Sequence, residues 1–320
     1  MTARPDARIW LALAVVYVAW GSTFIALAIA VRDLPPLLAL AMRHTVAGAL
    51  LLAFALPRGA GSTDRIGKPQ IRAGLVLGFL FFVVSHGTLA WAQQTVPAGV
   101  AALLVGSIPI WMALFDRLAF GRRLRGSAYV GFALGFLGLA FLVDPFGEGS
   151  VDRLGAIVIV LGASTWAAGS LYSRDAPLPR RPLVATGLAS ICGGVLLTLS
   201  SLVTGEVGEA VFSTEALLAV AYLIVVGTFV GMTAYVWLLQ VAPTSLVATY
   251  AYVNPIVAVI LGWALLDEEI TLQMVVAGAA VLVSVALILR SSGAVLEPGR
   301  GLLRRPRRAR VIPEPTAETR

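Results

Sequence analysis

The chain has 320 residues, of which 58% are hydrophobic, and a mean hydropathy of +0.89. Only 13% are charged, about half the share of a soluble domain; this excludes a disordered protein and argues against a soluble enzyme, because water does not solvate so apolar a surface. One cysteine, Cys192, rules out a disulfide framework and a thiolate metal cluster, and the net charge of +7 is interpreted below from where the charges fall.

Hydropathy predicts ten apolar segments, each near the roughly 20 residues that a bilayer helix needs. They are Ile9–Val31, Pro36–Leu56, Ala73–Ala92, Gly99–Phe120, Ser127–Val143, Leu154–Ser173, Leu183–Thr204, Ala216–Leu239, Ser245–Leu266 and Leu272–Leu289. Continuous apolar runs exclude a transmembrane barrel, whose strands alternate and are shorter. The first run follows Arg4 and Arg8, as in a secretory signal, but it is long and leads straight into a second span. The expected fold is an all-α integral membrane protein.

Charge placement predicts the orientation. With the N-terminus in the cytoplasm, cytoplasmic segments hold Arg4 and Arg8; Arg58, Arg65, Lys68 and Arg72; Arg117, Arg122, Arg123 and Arg125; Arg174, Arg180 and Arg181; and Arg290 with the seven arginines of the C-terminal tail. That is 21 of the 24 basic residues, while the outer loops hold only Arg32 and Arg153, and Arg43 lies inside a span. This is the positive-inside distribution, with both termini cytoplasmic. The basic tail, residues 291–320, is expected to be disordered and to attract anionic lipid, not nucleic acid.

The sequence also repeats. Trp91, Gln94, Pro97 and Pro109 recur as Trp237, Gln240, Pro243 and Pro255, and Trp20 recurs as Trp166, always 146 residues later. The chain therefore divides into residues 1–8, a first repeat 9–145, a second repeat 146–290 and the tail 291–320. Five spans per repeat would insert the second half in the opposite sense, the inverted-topology plan of many secondary transporters. By helical rise, Trp20 and Trp166 both reach about 16–18 Å into the bilayer, from opposite sides. Pro109 and Pro255 fall near mid-depth as well, where each removes a backbone hydrogen bond. Matching broken helices at the midplane point to a binding site.

These residues resemble a known family. Trp20-Gly21-Ser22-Thr23-Phe24, Pro36 followed by Arg43, the two Pro-x11-Pro helices, and Ala251 to Ala258 ahead of Glu268 resemble the EamA family of the drug/metabolite transporter superfamily, its YedA-like members most of all. The resemblance spans about residues 9–290. It implies ten helices, two EamA domains, a bacterial plasma membrane, and export or exchange of small polar metabolites such as amino acids or related compounds. The family often has a glutamate thirteen residues after the second proline of each half. Glu268 fits, but the first half has Arg122 there.

Candidate site residues follow from depth and chemistry. Arg43 lies about 12 Å below the outer end of its helix, where an arginine must be paired or face water; it suits either a substrate carboxylate or phosphate, or a structural pairing with helix carbonyls. His86, at similar depth, suits proton coupling or a plain hydrogen bond to a neighbour, and His44 less so. Trp20 and Trp166 suit an aromatic cavity wall or helix packing. Ser22, Thr23, Tyr250 and Asn254 suit hydrogen bonds to substrate or close helix packing. Trp91 and Trp237 fit the aromatic belts at the membrane surfaces. Glu268, with Asp267 and Glu269, suits an outer gate or the start of the last helix.

Absences narrow the classes. No Asp or Glu falls well inside a span, Asp116 being nearest, and there is no phosphate loop. No cofactor or metal is expected. The leading reading is a secondary transporter. A non-transporting sensor or scaffold, or a membrane-embedded lipid-modifying enzyme, are the alternatives; the enzyme would need clustered acids, histidines or a metal. Oligomeric state is left open by Gly131, Gly135 and Gly138, which suit packing inside one chain or against a second copy.

Overall fold

The structure is a computed structural model that describes residues 7–59, 64, 66–121, 126–143 and 152–291. The N-terminal residues, Arg122 and the tail from 292 onward thus lie outside the described residues. Among the described residues every regular element is helical. Eight helices are long and apolar enough to cross a membrane. They are α1 (Ala7–Asp33), α2 (Pro36–Arg58), α3 (Lys68–Ala92), α4 (Ala98–Ala119), α5 (Gly126–Val143), α6 (Arg153–Tyr172), α7 (Pro182–Thr204) and α8 (Thr214–Val241). Two shorter apolar helices follow, α9 (Tyr250–Leu266), preceded by the single turn Thr244–Val247, and α10 (Leu272–Ile288). Apolar side chains cover the outside: Val203 is 87% exposed and Leu272 78%, which lipid tolerates and water does not.

Helix starts differ from the hydropathy reading where polar residues can still turn. α3 begins at Lys68, not Ala73, because Pro69 is pre-set for a first turn and the Gln70 side chain accepts the Gly67 N–H at 3.1 Å. The starts themselves recur. Ala7 and Arg153, Pro36 and Pro182, Lys68 and Thr214, Ala98 and Thr244, Gly126 and Leu272 are each 146 apart. Both α3 and α8 also contain a widened π-helical stretch, Gly78–His86 and Leu223–Val230.

Repeat-equivalent helices pack on each other. α2 crosses α7 through Gly48 and Gly194, themselves 146 apart. A Cβ on Gly48 would stand 2.8 Å from the Ile191 nitrogen, and one on Gly194 2.7 Å from the Thr45 nitrogen. Only glycine permits backbones so close. α5 packs on α10 in the same manner, with Gly131, Gly135 and Gly138 against Ser284, Ile288 and Ala280. The glycine row is therefore used inside the chain.

Acids from distant loops hold the helix starts, whose first amides lack intrahelical partners. The Glu206 carboxylate accepts from Leu37 N at 3.3 Å and Leu38 N at 2.9 Å at the start of α2. In reciprocal fashion Asp64, from the α2–α3 connection, accepts from the Arg181 nitrogen at 3.3 Å just ahead of α7 and pairs with the Arg181 guanidinium. That guanidinium holds the Asp64 carboxyl below its ordinary value of 3.8. A depressed folded value stabilises the fold above the unfolded pKa and loses that contribution as pH falls through the folded one. Asp64→Asn is thus expected to be less stable than the parent at neutral pH, with the gap narrowing below about pH 4. Melting temperatures in detergent across pH check this; a gap independent of pH would assign Asp64 a purely neutral hydrogen-bonding role.

Candidate functional site

Three helices are interrupted beside the centre of the bundle. α1 is loosened at Ser22 with no proline, between Ala7–Gly21 and Thr23–Asp33, although Ser22 N still donates to Val18 O at 2.9 Å and Ala26 N to Ser22 O at 3.1 Å. Hydroxyls compete for its carbonyls there: Ser22 Oγ donates to Val18 O at 2.6 Å, and Thr23 Oγ1 donates to Trp20 O at 2.6 Å. α4 splits into Ala98–Val105 and Ile108–Phe120, just ahead of Pro109. Pro109 has no N–H for the Val105 carbonyl, and Ser107 N turns back to Leu104 O at 3.1 Å. Before α9 the chain makes tight turns, Ala251 N to Ala248 O at 3.2 Å and Tyr252 N to Thr249 O at 3.0 Å. Pro255 itself sits inside a continuous helix. The breaks thus precede the prolines instead of lying on them, because the carbonyl that loses its donor belongs to the preceding turn.

A cavity of about 120 Å3 borders the interruptions in α1 and α4. It is lined by Thr23, Phe24 and Leu27 of α1, Arg43 of α2, Ser85, His86 and Leu89 of α3, Val105 and Ile108 of α4, and Ile159, Ala163 and Trp166 of α6. Both repeats contribute. The volume is below the roughly 300–1,000 Å3 of clefts for drug-sized ligands, so it suits a compact solute.

Arg43 is the charge of this cavity. It is 8% exposed, and its Nε donates to Thr228 Oγ1 at 3.3 Å. Thr228 Oγ1 in turn donates to Leu223 O at 3.1 Å, within the widened stretch of α8. Among the described residues Asp116 and Asp64 form ion pairs with other arginines, Asp116 with Arg174 at 2.9 Å and Asp64 with Arg181. One long hydrogen bond leaves most of the five guanidinium donors of Arg43 for something else.

The two histidines form a pair. His44 Nε2 and His86 Nδ1 are 3.1 Å apart, so one ring donates and the other accepts. His44 is 1% exposed, and its Nδ1 has no partner. Phe82 stacks on His44 with centroids 4.0 Å apart, and Trp166 on His86 at 5.2 Å. His44 directly follows Arg43 and so lies on a different face of α2. Nothing in the spacing signals that α3 lies against that face.

Four of the candidates, Thr23, Arg43, His86 and Trp166, meet in this cavity. The others do not line it. Ser22 bonds the Tyr222 hydroxyl at 2.7 Å and closes the break in α1. Trp20, the repeat-mate of Trp166, donates from Nε1 to Gly227 O at 3.1 Å and stacks with Tyr235 and Tyr250, both at 5.0 Å. Asn254 is buried with Oδ1 unpartnered, and its backbone oxygen lies against Gly21. The surroundings of the two tryptophans differ: Phe81 stands 146 residues before Gly227, and it is Gly231, where a Cβ would stand 2.5 Å from the indole nitrogen, that makes room for Trp20. Phe81 packs on Trp166 at 4.4 Å and holds it at the cavity. Trp91 and Trp237 are exposed at helix ends, as aromatic belts require.

Glu268 caps a helix. Its carboxylate accepts from Ala98 N at 2.5 Å and Gly99 N at 2.9 Å, the start of α4. Arg122, 146 residues earlier, cannot accept from amides at the matching start before α9, and that start is the one-turn segment Thr244–Val247.

Comparison with known proteins fits this architecture. The EamA-like transporter family matches residues 8–144 and again 153–290. YedA of Escherichia coli K12, described as an uncharacterized inner membrane transporter, is 37% identical over 261 residues, covering 81% of this chain and 83% of the relative. A probable amino-acid metabolite efflux pump of the same organism is 26% identical over 290 residues, covering 82% and 87%. A crystal structure 21% identical to the chain superposes with a TM-score of 0.61 over 90% of this chain and 98% of that one, a likeness of fold alone. The chain, a membrane protein of two similar helical halves around a central cavity, therefore belongs to the EamA-like transporter family.

Proposed function

We propose that the protein is a secondary transporter that exports or exchanges small polar organic metabolites, with the Arg43 cavity as its substrate site. The observation that carries this reading is a buried arginine without a carboxylate partner among the described residues, facing a cavity shared by both halves. Such a charge is costly unless something anionic or aqueous visits it. The N-terminal turn of Thr23–Asp33 borders the same space, and its dipole favours the same sign. Val105, whose carbonyl loses a donor to Pro109, ends a helix at the same cavity, and a helix C-terminus favours cations. A carboxylate near Arg43 and an ammonium near Val105 suit an amino acid or a related compound.

Ten spans as two repeats of opposite insertion, with both termini cytoplasmic in a bacterial inner membrane, complete the reading. It is supported by the five helix starts that recur at 146 residues and by the positive-inside arginines. Rocking of one repeat on the other would alternate access to the cavity. The His44–His86 pair is the candidate carrier of a coupled proton.

Metabolite profiling of the medium, with and without overproduction, tests this. A compound that accumulates outside only with the intact protein is the expected result, and purified vesicles that move none of the compounds found would leave the sensor or scaffold reading. His86→Gln is expected to remove any pH dependence of transport; an unchanged profile removes the proton role.

A further inference from the structure

The cavity and the aromatic cluster around Trp20 occupy equivalent positions of the two repeats. Tyr17, Trp20 and Tyr235 each lie 146 residues from Ala163, Trp166 and Leu89, all three of which line the cavity. The same framework is therefore filled at one end of the bundle and hollow at the other. At the filled end Trp20 meets Tyr235 and Tyr250, and those two rings meet each other at 5.6 Å. The Tyr17 hydroxyl bonds Thr249 Oγ1, tying α1 to the turn that starts α9. Leu13, Val16, Leu238 and Val247 pack behind this cluster, all buried.

We propose that Tyr17, Trp20, Tyr235 and Tyr250 form the gate that seals the cavity from the end of the bundle carrying the α8–α9 turn, and that the Tyr17–Thr249 bond is its latch. The proposal rests on the alternating-access reading and adds the residues that impose it. The physical case lies in how the two ends differ. Ala163 and Leu89 stand where the seal has tyrosines, and Leu103 and Leu104 stand where it has Thr249 and Tyr250. None of these four side chains has a hydroxyl. Closure at the cavity end has no counterpart to the Tyr17–Thr249 latch. The chain is thus biased towards the state described here, sealed at the α8–α9 end. Opening that end requires the hydroxyl bond and the ring contacts to part. Those are discrete contacts, which suits two alternative packings better than a gradual slide.

The test is accessibility, which needs no knowledge of the substrate. Ser85→Cys in a Cys192→Ser background places one thiol at the cavity. Its reaction with a membrane-impermeant thiol reagent is timed in right-side-out and inverted vesicles. The parent is expected to react from one face only. Tyr17→Phe, and separately Tyr235→Leu, are expected to raise the rate from the other face about tenfold, the shift that loss of one hydrogen bond or ring contact produces. An unchanged rate from that face in both variants, with the first face still reacting as in the parent, overturns the gate. A parent that reacts equally from both faces overturns it too, because no seal would then exist. If the rates shift as expected while Arg43→Ala leaves transport intact, the gate stands and the substrate reading alone falls.

Discussion

Arg43→Ala is expected to lower transport about 100-fold or more while the protein still inserts and folds. A buried charge that pairs with a substrate anion is worth roughly 2–5 kcal/mol when truncated, and about 2.7 kcal/mol is a factor of 100. Stability should change little, because the side chain gives up one 3.3 Å bond to Thr228 and no ion pair among the described residues. Removing a buried cation also relieves its desolvation. Arg43→Lys separates charge from shape. Lysine keeps the charge but not the planar fork, so intermediate activity is expected. Flux and melting temperature in detergent are the measurements. Full transport by the alanine variant would make Arg43 a packing residue that bonds α2 to α8, and a collapse in melting temperature would say the same.

Glu268→Ala is expected to act on stability instead, at about 2–4 kcal/mol. Two amides at the start of α4 would lose a charged acceptor, and each charge-assisted bond contributes about 1.5–3 kcal/mol, less here because the site is only part-buried. Glu268→Gln keeps one acceptor oxygen and should recover part of the loss. A gating carboxylate would behave otherwise: transport would change with melting temperature untouched. That pattern would return Glu268 to the outer-gate role that its place in a charged turn first suggests.

Much of the fold was legible because its causes are local. Runs of about 20 apolar residues mark where backbone can cross lipid only as helix, and Pro36 and Pro182 mark where two of those helices start. The 146-residue register was visible in five pairs of large or special residues. Depth and chemistry along each helix singled out Thr23, Arg43, His86 and Trp166, which line the cavity, together with Trp20, Ser22, Tyr250 and Asn254, which do not. Depth is a property of one helix at a time. It could not say that His44 meets His86, that Thr228 meets Arg43, or that Trp20 turns from the cavity to Gly227. Those contacts span 42, 185 and 207 residues and depend on which faces of two helices meet.

The sequence by itself determined the class of protein, the positions of most spans, the repeat and the short set of polar groups that a membrane would have to accommodate. Hydropathy and helical rise are additive along the chain, so they can be read without a partner. The tertiary structure alone decided which repeat-equivalent positions are hollow and which are filled. Phe81 packs on Trp166 beside a cavity, while Gly231, where a Cβ would stand 2.5 Å from the Trp20 indole nitrogen, leaves room for Trp20 to donate to the Gly227 carbonyl among tyrosines. Close packing amplifies such differences, because in a filled interior one ring more or less decides whether a space exists at all.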